Sequence, residues 1–434
     1  MNTIEIRTFD EIKVGDTASL VRTLTSEDFE VFGMWGGGLI STLLGTKLPG
    51  PGTIYVEQTL RFWRPVSVGE AITASVTATF KDPATHRVIL ECRCVNQAGE
   101  VVIDGIAEVT APAERVKRLR AILPTVHPHD RGERHRQLIA STRGLEPLKT
   151  AVVHPVDRNS LLGAIDAARA GLIVPLLVGP ESKIRAVAAA ESVDLAAYRL
   201  VPTRHSHEAA ERAVALARAA EVEALMKGSL HTDELMQEVV AKETGLRTGR
   251  RISHVFVVDV PTCPRPLFIT DAAINIAPDL AAKRDIVQNA IDLAHVLGIE
   301  APKVAILSAV ETLNPEIAST IDAAALCKMA NRKQITGGIL DGPLAFDNAI
   351  SEEAAKAKGI ESAVAGRADI LVVPDLESGN MLAKQLEYLG EAQLAGLVLG
   401  ARAPIVLTSR ADTSPARMAS CAVALLFARR GPKY

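Results

Sequence analysis

One stretch of this chain reads Ala403-Pro-Ile-Val-Leu-Thr-Ser-Arg-Ala-Asp412. Residues 404–408 have the composition of a buried strand, and the apolar face of a helix begins a few residues after the polar end. Ser409, Arg410 and Asp412 therefore lie where a strand ends and a helix begins, which is where ligands bind in open α/β sheets. The planar fork of an arginine suits a phosphate, and so does a helix N-terminus. The stretch predicts a phosphate site near Ser409 and Arg410.

The same alternation of strands and helices continues over most of the chain after about Leu138. The strand candidates are residues 150–154, 172–178, 224–227, 254–260, 267–269, 303–307, 370–373, 396–399 and 405–408. The helix candidates are residues 208–220, 233–244, 280–297, 315–330 and 380–389. Apolar strands that alternate with amphipathic helices predict an α/β fold, with a mainly parallel sheet covered on both faces. Right-handed crossovers then bring the loops after the strands to one edge of the sheet.

The first part of the chain has a different pattern. Alternating apolar residues at 72–80, 88–95 and 101–109 predict an antiparallel β-meander, with a helix at 39–44 across the sheet. We expect this domain to span residues 1–112 and a solvated linker, residues 113–137, to join it to the α/β part. Three histidines lie in the linker, but their spacing matches no metal motif, so we expect no metal site.

Composition narrows the possible classes of protein. A chain of 434 residues is too long for one compact core, so two or three domains are expected. The net charge of −3 gives no electrostatic case for binding nucleic acid or an anionic membrane. No apolar run approaches the roughly 20 residues of a membrane span, and no signal peptide is visible. These observations predict a cytoplasmic protein whose five cysteines are reduced thiols.

Polar residues collect in the loops that follow the predicted strands. Five such loops are residues 228–232, 270–275, 341–347, 374–380 and 409–412. Glycine, aspartate, asparagine and serine are ordinary turn and cap residues, so each loop alone is weak support for a site. Because all five loops follow strands and should meet at one edge of the sheet, together they predict a binding or catalytic site there.

Five motifs in these loops follow one another along the α/β part. They are Met226-Lys-Gly-Ser-Leu-His-Thr232, Ile269-Thr-Asp-Ala-Ala-Ile-Asn275, Asp341-Gly-Pro-Leu-Ala-Phe-Asp347, Val373-Pro-Asp-Leu-Glu-Ser-Gly-Asn380 and Thr408-Ser-Arg410. Their order, within residues 145–429, resembles the phosphate acetyl/butyryltransferase family. The resemblance implies two α/β lobes flanking a cleft, similar to the isocitrate and isopropylmalate dehydrogenases. On this chain, lobe I would comprise residues 138–250 and 400–434, and lobe II residues 251–399.

The same resemblance implies an activity and catalytic residues. The family exchanges an acyl group between acyl phosphate and coenzyme A, so coenzyme A is expected as a substrate and no cofactor as a permanent ligand. Arg410 would clamp the phosphoryl oxygens, and Ser409 would donate a hydrogen bond to the substrate or the developing oxyanion. The acetyltransferases carry a catalytic aspartate at the position of Ala416, so Asp412 is the nearest carboxylate for a base. Asp412 is equally a candidate N-cap of the final helix.

Other loop residues are candidates for contact with coenzyme A or the acyl group. Ser229 and His231 have this role in one interpretation, and are a loop serine and a satisfied histidine in the other. Asp375 and Asn380 flank a loop at a strand end, although Asn380 would fit equally well at the start of the next helix. The arginines of residues 247–251 either meet nucleotide phosphates or are solvated.

Four further motifs lie in the N-terminal domain. They are Phe9-Asp-Glu-Ile-Lys-Val-Gly15, Met34-Trp-Gly-Gly-Gly-Leu-Ile-Ser41, Pro49-Gly-Pro-Gly52 and Leu60-Arg-Phe-Trp-Arg-Pro-Val66. They resemble a MaoC-type hotdog domain, the α+β fold of hydratases that act on enoyl-CoA. That family places an aspartate and a histidine, its acid and base for adding water, after the helix that here contains Asp28. In this chain Gly33 joins the flanking elements directly, through a natural deletion or a missing segment, so we expect no hydratase activity.

Two other functions remain open at this point. The two-lobed plan would permit a metal- and NAD-dependent hydroxy-acid dehydrogenase, with aspartates after the strands as metal ligands. A catalytically idle module that binds coenzyme A or serves assembly is the second alternative. Both family resemblances imply a homo-oligomer, whose small-molecule partners would be coenzyme A and acyl phosphate or phosphate.

Overall fold

The computed structural model describes residues 7–24, 35–114, 133–408 and 412–432. The chain divides into two compact units, Met1–Pro128 and His129–Tyr434. Ser409 and Arg410, the predicted junction at Gly33 and most of the predicted linker lie outside the described residues. In the part of the chain that is described, no helix has the length and apolar composition that crossing a membrane would require.

The described part of the N-terminal unit is a five-stranded antiparallel sheet with a helix packed on it. Its elements are β1 (Thr17–Thr23), α1 (Trp35–Thr46), β2 (Ile54–Phe62), β3 (Ala71–Asp82), β4 (Arg87–Asn96) and β5 (Val101–Thr110). The strand order is β1-β3-β4-β5-β2, and every neighbouring pair is antiparallel. Buried and partly exposed residues alternate along most of β3, because successive side chains of a strand point to opposite faces. The predicted meander is confirmed.

Helix α1 lies across one face of this sheet because its apolar residues fall on one side. Leu39, Leu43 and Leu44 are buried in the core that the helix shares with the strands. The helix approaches β5 closely at Gly36, where a Cβ atom would lie 2.1 Å from the Cδ1 of Ile103. A larger residue at position 36 would therefore have to displace the side chain of Ile103 or the helix.

The C-terminal unit, as far as it is described, is built on one sheet of eleven strands. Its strands are β6 (Leu148–Val153), β7 (Ile173–Gly179), β8 (Arg199–Pro202), β9 (Ala224–Lys227), β10 (Ser253–Asp259), β11 (Leu267–Thr270), β12 (Lys303–Leu307), β13 (Ile339–Leu344), β14 (Ile370–Val372), β15 (Gln393–Leu399) and β16 (Ile405–Val406). Its helices are α2 (Glu133–Ala140), α3 (Arg158–Arg169), α4 (Glu181–Ala190), α5 (Ser206–Arg218), α6 (Thr232–Val239), α7 (Leu280–Val296), α8 (Ala318–Asn331), α9 (Phe346–Ile350), α10 (Glu352–Ala357), α11 (Leu376–Tyr388) and α12 (Ser414–Arg430). The strand order is β13-β12-β14-β11-β10-β15-β16-β9-β6-β7-β8. Strands from residues 251–399 thus fill one side of the sheet, and strands from residues 138–250 and 400–434 fill the other.

The sheet is mixed: most of its pairs are parallel, as the prediction of a mainly parallel sheet requires, but its centre is antiparallel. β10 pairs antiparallel with β11 and with β15, and β15 pairs antiparallel with β16. The reason lies in the connections: only residues 260–266 separate β10 from β11, and only residues 400–404 separate β15 from β16. A parallel pair needs a crossover of about a dozen residues or more, so these short connections give antiparallel pairs. The remaining neighbours are parallel, as predicted.

Other differences concern where elements begin. The predicted linker reaches residue 137, but helix α2 already begins at Glu133. His135 is buried there, and Arg134 forms an ion pair with Asp259 at 2.6 Å, which fixes this helix to the end of β10. Helix α11 begins at Leu376 rather than at residue 380. The sequence pattern does not reveal β8, because this strand is short and none of its residues is fully buried.

Candidate active site

A cavity of about 310 Å³ lies where several strand ends of the C-terminal unit meet. It is lined by Lys227, Leu230, His231, Thr232, His254, Phe256, Ala273, Asn380, Lys384, Glu387, Leu394, Gly396, Leu407, Thr408 and Asp412. Four of the five predicted polar loops therefore contribute to one site. The fifth does not, because Asp341 lies within β13, and five strands separate β13 from β16 in the sheet.

Described residues of the junction between β16 and helix α12, residues 407–413, border this cavity. Thr413 is the N-cap of the helix, and Asp412, one residue earlier, lines the cavity. The interpretation of Asp412 as the helix N-cap is therefore wrong. Thr408 lines the same cavity, so described residues on both sides of Ser409 and Arg410 border it.

A buried arginine, Arg417 of helix α12, supports this junction from inside. Only 1% of the residue is exposed. Its Nη1 donates to the hydroxyl of Thr408 at 2.8 Å, and its Nε donates to the carbonyl oxygen of Asp412 at 3.3 Å. Gly163 makes room for it, since a Cβ there would lie 2.5 Å from the Cδ of Arg417. Burial lowers the pKa of Arg417, and the nearby charges of Asp412 and Asp157 oppose this shift.

Asp157 connects the same arginine to the loop after β9. It is the N-cap of helix α3 and accepts a hydrogen bond from the backbone nitrogen of Ser160 at 2.8 Å. Burial disfavours its charge, but hydrogen bonds from Ser160 and Ser229 and the charge of Arg417 outweigh this effect and lower the pKa of Asp157. Ser229 thus contacts the framework of the site and is not part of the cavity lining. Its contact with a substrate stays a prediction.

The loop after β9 is packed tightly against the end of β6. Gly228 donates from its backbone nitrogen to the carbonyl oxygen of Val153 at 2.9 Å, and a Cβ there would lie 2.5 Å from that oxygen. Nδ1 of His154 lies 2.7 Å from the carbonyl oxygen of Ser229. His231, the N-cap of helix α6, is exposed and lines the cavity. Of the predicted pair in this loop, His231 is therefore the one that faces the cavity.

Two lysines that the sequence prediction missed also line the cavity. Lys227 is only 4% exposed, and its Nζ donates to the carbonyl oxygen of Thr408 at 3.5 Å. Lys384 pairs with Glu387 at 2.7 Å; burial disfavours its charge, but Glu387 and Asp412 outweigh this and raise the pKa of Lys384. A lysine that ends an otherwise apolar strand, as in β9, was the available signal. These cations suit an anionic ligand.

The two predicted residues of helix α11 differ in what they contact. Asp375 is the N-cap, and its carboxylate accepts hydrogen bonds from the backbone nitrogen and the hydroxyl of Ser378, both at 2.8 Å. The backbone hydrogen bond is the main cause that lowers the pKa of Asp375, although burial opposes it. Asn380 lies inside the helix, lines the cavity and donates from Nδ2 to the carbonyl oxygen of Ala272 at 3.2 Å. Only Asn380 of this pair belongs to the cavity.

The loop after β11 builds a wall beside the cavity. Asp271 is buried, and its carboxylate accepts hydrogen bonds from the backbone nitrogens of Ala273 at 3.0 Å and Ile274 at 3.1 Å, and from Nδ2 of Asn275 at 2.5 Å. Burial raises the pKa of Asp271, and these hydrogen bonds oppose the shift. Motif residues 270–275 therefore shape the site from behind. Among the described residues, no group of three or more His, Cys, Asp or Glu side chains is arranged to hold a metal ion.

A second cavity, of about 1030 Å³, adjoins the first, since Thr232 and Ala273 line both. Its arginines are the exposed Arg247, Arg250 (2.5 Å from Asp292), Arg251 (2.7 Å from Asn275) and Arg284 (2.8 Å from Asp285). The partners of Arg251 and Arg284 line the same cavity, whereas Asp292, the partner of Arg250, lies outside its lining. A wall of several arginines suits a ligand with phosphate groups.

Comparison with known proteins gives the class of this protein. The family model described as "Phosphate acetyl/butaryl transferase" matches residues 203–425. A phosphate acetyltransferase of Rhizobium meliloti is 66% identical over 294 residues, which cover 68% of this chain and 93% of that protein. The protein is therefore an acyltransferase. The chain belongs to the phosphate acetyl/butyryltransferase family, as its loop motifs predict.

Two more relatives extend this comparison. A phosphate butyryltransferase of Clostridium acetobutylicum is 42% identical over 292 residues, which cover 67% of this chain and 97% of that protein. Among solved structures, a branched-chain phosphotransacylase from Enterococcus faecalis V583 has a TM-score of 0.56 and 29% identity, covering 66% of this chain and 100% of that chain. The family model does not reach the N-terminal unit.

Proposed function

We propose that this protein exchanges a short acyl group between acyl phosphate and coenzyme A. The observation that carries the proposal is the small cavity, which Lys227, His231 and Asp412 line together. Asp412 follows closely after Ser409 and Arg410 in the sequence. Acetyl is the preferred acyl group because the relative with 66% identity is a phosphate acetyltransferase. Butyryl is the alternative, since a relative with 42% identity is a phosphate butyryltransferase.

Coenzyme A is the second substrate in this proposal, and no cofactor is bound permanently. The larger cavity has the volume for a nucleotide-sized ligand, and the arginines of residues 247–251 are suitable partners for its phosphates. The two cavities share Thr232 and Ala273 in their linings, so we place the nucleotide of coenzyme A in the larger cavity and its thiol in the smaller one. Asn380 and Ser229 complete the proposed substrate-binding residues, Asn380 with the best support because it lines the small cavity. Asp375 serves instead as the N-cap of α11.

In the proposed reaction, the sulfur of coenzyme A attacks the carbonyl carbon of the acyl phosphate. A C–S bond forms, the C–O bond to phosphate breaks, and inorganic phosphate leaves with the electron pair. The thiol must lose its proton first, since its pKa should be near that of a free cysteine, about 8.5. Asp412 is the proposed base, Arg410 the clamp on the phosphoryl oxygens, and Ser409 the hydrogen-bond donor to the substrate or oxyanion.

The test is a thioester-forming assay with coenzyme A and either acetyl phosphate or butyryl phosphate. We expect Arg410→Ala to lower the rate about 10²–10³-fold, because the phosphoryl oxygens lose a preorganised partner. Arg410→Lys keeps the charge without the planar fork, so its rate should lie between those of the wild type and Arg410→Ala. Arg402→Ala, at an exposed arginine that lines neither cavity, is the matched control and should leave the rate unchanged. Full activity of Arg410→Ala would contradict the clamp.

For the N-terminal unit we propose a hotdog module that lacks hydratase activity. An antiparallel sheet with an apolar helix across one face supports the assignment, and the direct connection at Gly33 is the reason for the lost activity. With crotonyl-CoA as substrate, we expect no hydration above the uncatalysed rate. Formation of 3-hydroxybutyryl-CoA by the purified protein would refute this assignment.

We further propose that the two sets of strands in the large sheet belong to two lobes, residues 138–250 with 400–434, and residues 251–399. The strand order supports this division. A homo-oligomer is also proposed, because edge strand β2 has no neighbour on one side in the described sheet and exposes Ile54 and Phe62. Sedimentation of the purified protein at the mass of a single chain would rule out the oligomer.

A further inference from the structure

The small cavity contains one histidine, His254, that is buried without a partner. The residue is 0% exposed, and its backbone is paired with Val398 inside the sheet. Among the described residues, neither Nδ1 nor Nε2 of its ring has a hydrogen-bond partner. Leaving a buried polar group unsatisfied is unfavourable, so such a group in a folded protein calls for an explanation.

Three neighbours define where this imidazole lies. The ring contacts Phe256 edge-on, with centroids 4.3 Å apart and planes at 72°. Gly396 leaves space for it, because a Cβ there would lie 2.8 Å from Nε2. The carbonyl oxygen of Leu407 lies close to the same glycine, but without the geometry of a hydrogen bond to the ring. The imidazole is therefore fixed beside the carboxyl end of β16.

The chemistry of the cavity lining matches the parts of an acyl phosphate. Lys227 and Lys384 suit the phosphate, and apolar residues such as Phe256 and Leu394 suit a short carbon chain. The carbonyl group joins these two parts of the substrate. A single polar side chain among the apolar lining residues suits the carbonyl oxygen, and His254, in contact with Phe256 and beside Leu407, has this position.

We propose that His254 is a catalytic hydrogen-bond donor to the carbonyl oxygen of the acyl group, an inference that rests on the proposed acyl transfer. When the sulfur of coenzyme A forms its bond to the carbonyl carbon, an electron pair of the C=O bond moves onto the oxygen. The imidazole N–H donates a hydrogen bond to this oxyanion and keeps its proton. The C=O bond forms again as the C–O bond to phosphate breaks, and phosphate leaves with the electron pair.

The protonation state of His254 fits this role. Burial lowers the pKa of its imidazole to about 3, with the backbone of Leu407 acting in the opposite direction. At neutral pH the ring is uncharged and carries one N–H donor and one acceptor nitrogen. A fixed neutral donor stabilises a developing negative charge without the desolvation that a buried cation would require.

A pair of variants of similar size tests the inference in the full chain. His254→Leu removes the donor, whereas His254→Asn keeps an N–H donor in a side chain of nearly the same shape as that of leucine. We expect His254→Leu to lower kcat for thioester formation about 10²–10³-fold. His254→Asn should retain about tenfold more activity than His254→Leu, which corresponds to one hydrogen bond. The KM for coenzyme A should change little, because the larger cavity is untouched.

Thermal unfolding separates this role from a structural one. Leucine replaces an unpaired polar group by an apolar one, so His254→Leu should unfold at the same or a higher temperature than the wild type, and His254→Asn at a lower one. Of the two variants, His254→Leu should thus be the more stable and His254→Asn the more active. If His254→Leu does not fold, His254→Phe is judged by the same criteria. A kcat within threefold of wild type in the apolar variant, or equal losses of kcat in both variants, overturns the catalytic role of His254 and leaves the acyl-transfer proposal in place. A wild-type protein that forms no thioester overturns the acyl-transfer proposal as well.

Discussion

Two junctions between a strand and a helix in the large sheet both carry an aspartate shortly before the helix, and they use it differently. At the β14–α11 junction, residues 373–375, the carboxylate of Asp375 caps the helix and is satisfied by Ser378. At the β16–α12 junction the N-cap falls on Thr413, so Asp412 lies one residue before it and lines the small cavity. The position of an aspartate relative to the N-cap therefore decides whether it serves the helix or the cavity.

The β16–α12 junction also requires support that the other junction does not have. Arg417 is buried beneath it and donates to Thr408 and to the carbonyl oxygen of Asp412. A buried guanidinium is expensive to desolvate, and it is tolerated here because Asp157 and Asp412 lie close to it. The β14–α11 junction is stabilised by its own N-cap, whereas the β16–α12 junction is stabilised by Arg417 and by Asp157, which is distant in sequence. Four predictions test this contrast.

The largest effect is expected from removing the buried cation. Arg417→Met should lower the free energy of unfolding by about 3–5 kcal/mol, because it leaves the carboxylates of Asp157 and Asp412 without their buried partner. Thioester formation should also fall, since Thr408 and Asp412, which flank Ser409 and Arg410 in the sequence, each lose a hydrogen bond from Arg417. Urea unfolding and the thioester assay measure the two effects.

Two further variants isolate the contribution of the charge. Arg417→Lys keeps the charge with fewer donors and should be less destabilised than Arg417→Met. Gly163→Ala keeps the arginine but places a Cβ 2.5 Å from its Cδ, so it should displace the guanidinium and lower activity without changing any charge. An Arg417→Met protein as stable as the wild type would show that the cavity junction needs no such support.

A smaller effect, on rate alone, is expected from Asp412. If Asp412 accepts the thiol proton, Asp412→Asn should lower kcat about 10²-fold at pH 7. The defect should shrink as the pH rises towards 9, because the thiol, with a pKa of about 8.5, then ionises without a base. The pH dependence of kcat in the variant and the wild type measures this. A defect that stays constant from pH 7 to pH 9 would assign Asp412 a role other than that of base.

The sequence predicts the elements at these junctions better than it predicts their contacts. Strands β9 and β12 have the predicted bounds, since each is an apolar run with clear polar ends. The short connections of residues 260–266 and 400–404 already carried the information that the centre of the sheet is antiparallel. The prediction that the polar loops meet at one site also holds for four of the five loops, whose residues line one cavity.

The residues that the sequence did not reveal are buried polar ones. Arg417 lies in the first turn of a helix, where an arginine is usually solvated, and His254 lies in an apolar strand. Their significance depends on residues far away in the chain, since Asp157 lies near Arg417 and Gly396 lies against the ring of His254. No local pattern encodes such pairs. A one-residue shift of an N-cap, which separates Asp412 from Asp375, is also below the accuracy of helix ends read from a sequence.

A third prediction uses pH to separate a buried group of the small cavity, His254, from the cap of the β14–α11 junction, Asp375. His254 titrates near 6.5 when unfolded and at about 3 when folded, so between these values the unfolded chain binds more protons. Protonation of His254 in the unfolded chain therefore does not lower the free energy of unfolding above pH 6.5, but lowers it increasingly as the pH drops. At pH 5 this loss is roughly 2 kcal/mol. The pKa of Asp375 is lowered from 3.8, so its contribution is present above pH 3.8 and is lost only below it.

Unfolding of the wild type and of His254→Leu between pH 7 and pH 5 measures this difference. The variant should lose less stability over this range. His135 is also buried with a lowered pKa and titrates in both proteins, so the difference between the two curves isolates His254. Parallel curves would mean that His254 is protonated or solvated in the folded protein.

The smallest effect is expected at the β14–α11 junction. Asp375→Ala should lower the free energy of unfolding by about 1 kcal/mol, the usual effect of losing an N-cap. The kcat for thioester formation should not change, because Asp375 does not line the small cavity. Ser378→Ala is the matched control: it removes one of the two donors to Asp375 and leaves the backbone donor in place, so its effect should be smaller still. A tenfold loss of kcat in Asp375→Ala, with the fold intact, would mean that a carboxylate engaged as a cap still acts on the substrate. The contrast between the two junctions would then not depend on the position of the aspartate relative to the N-cap.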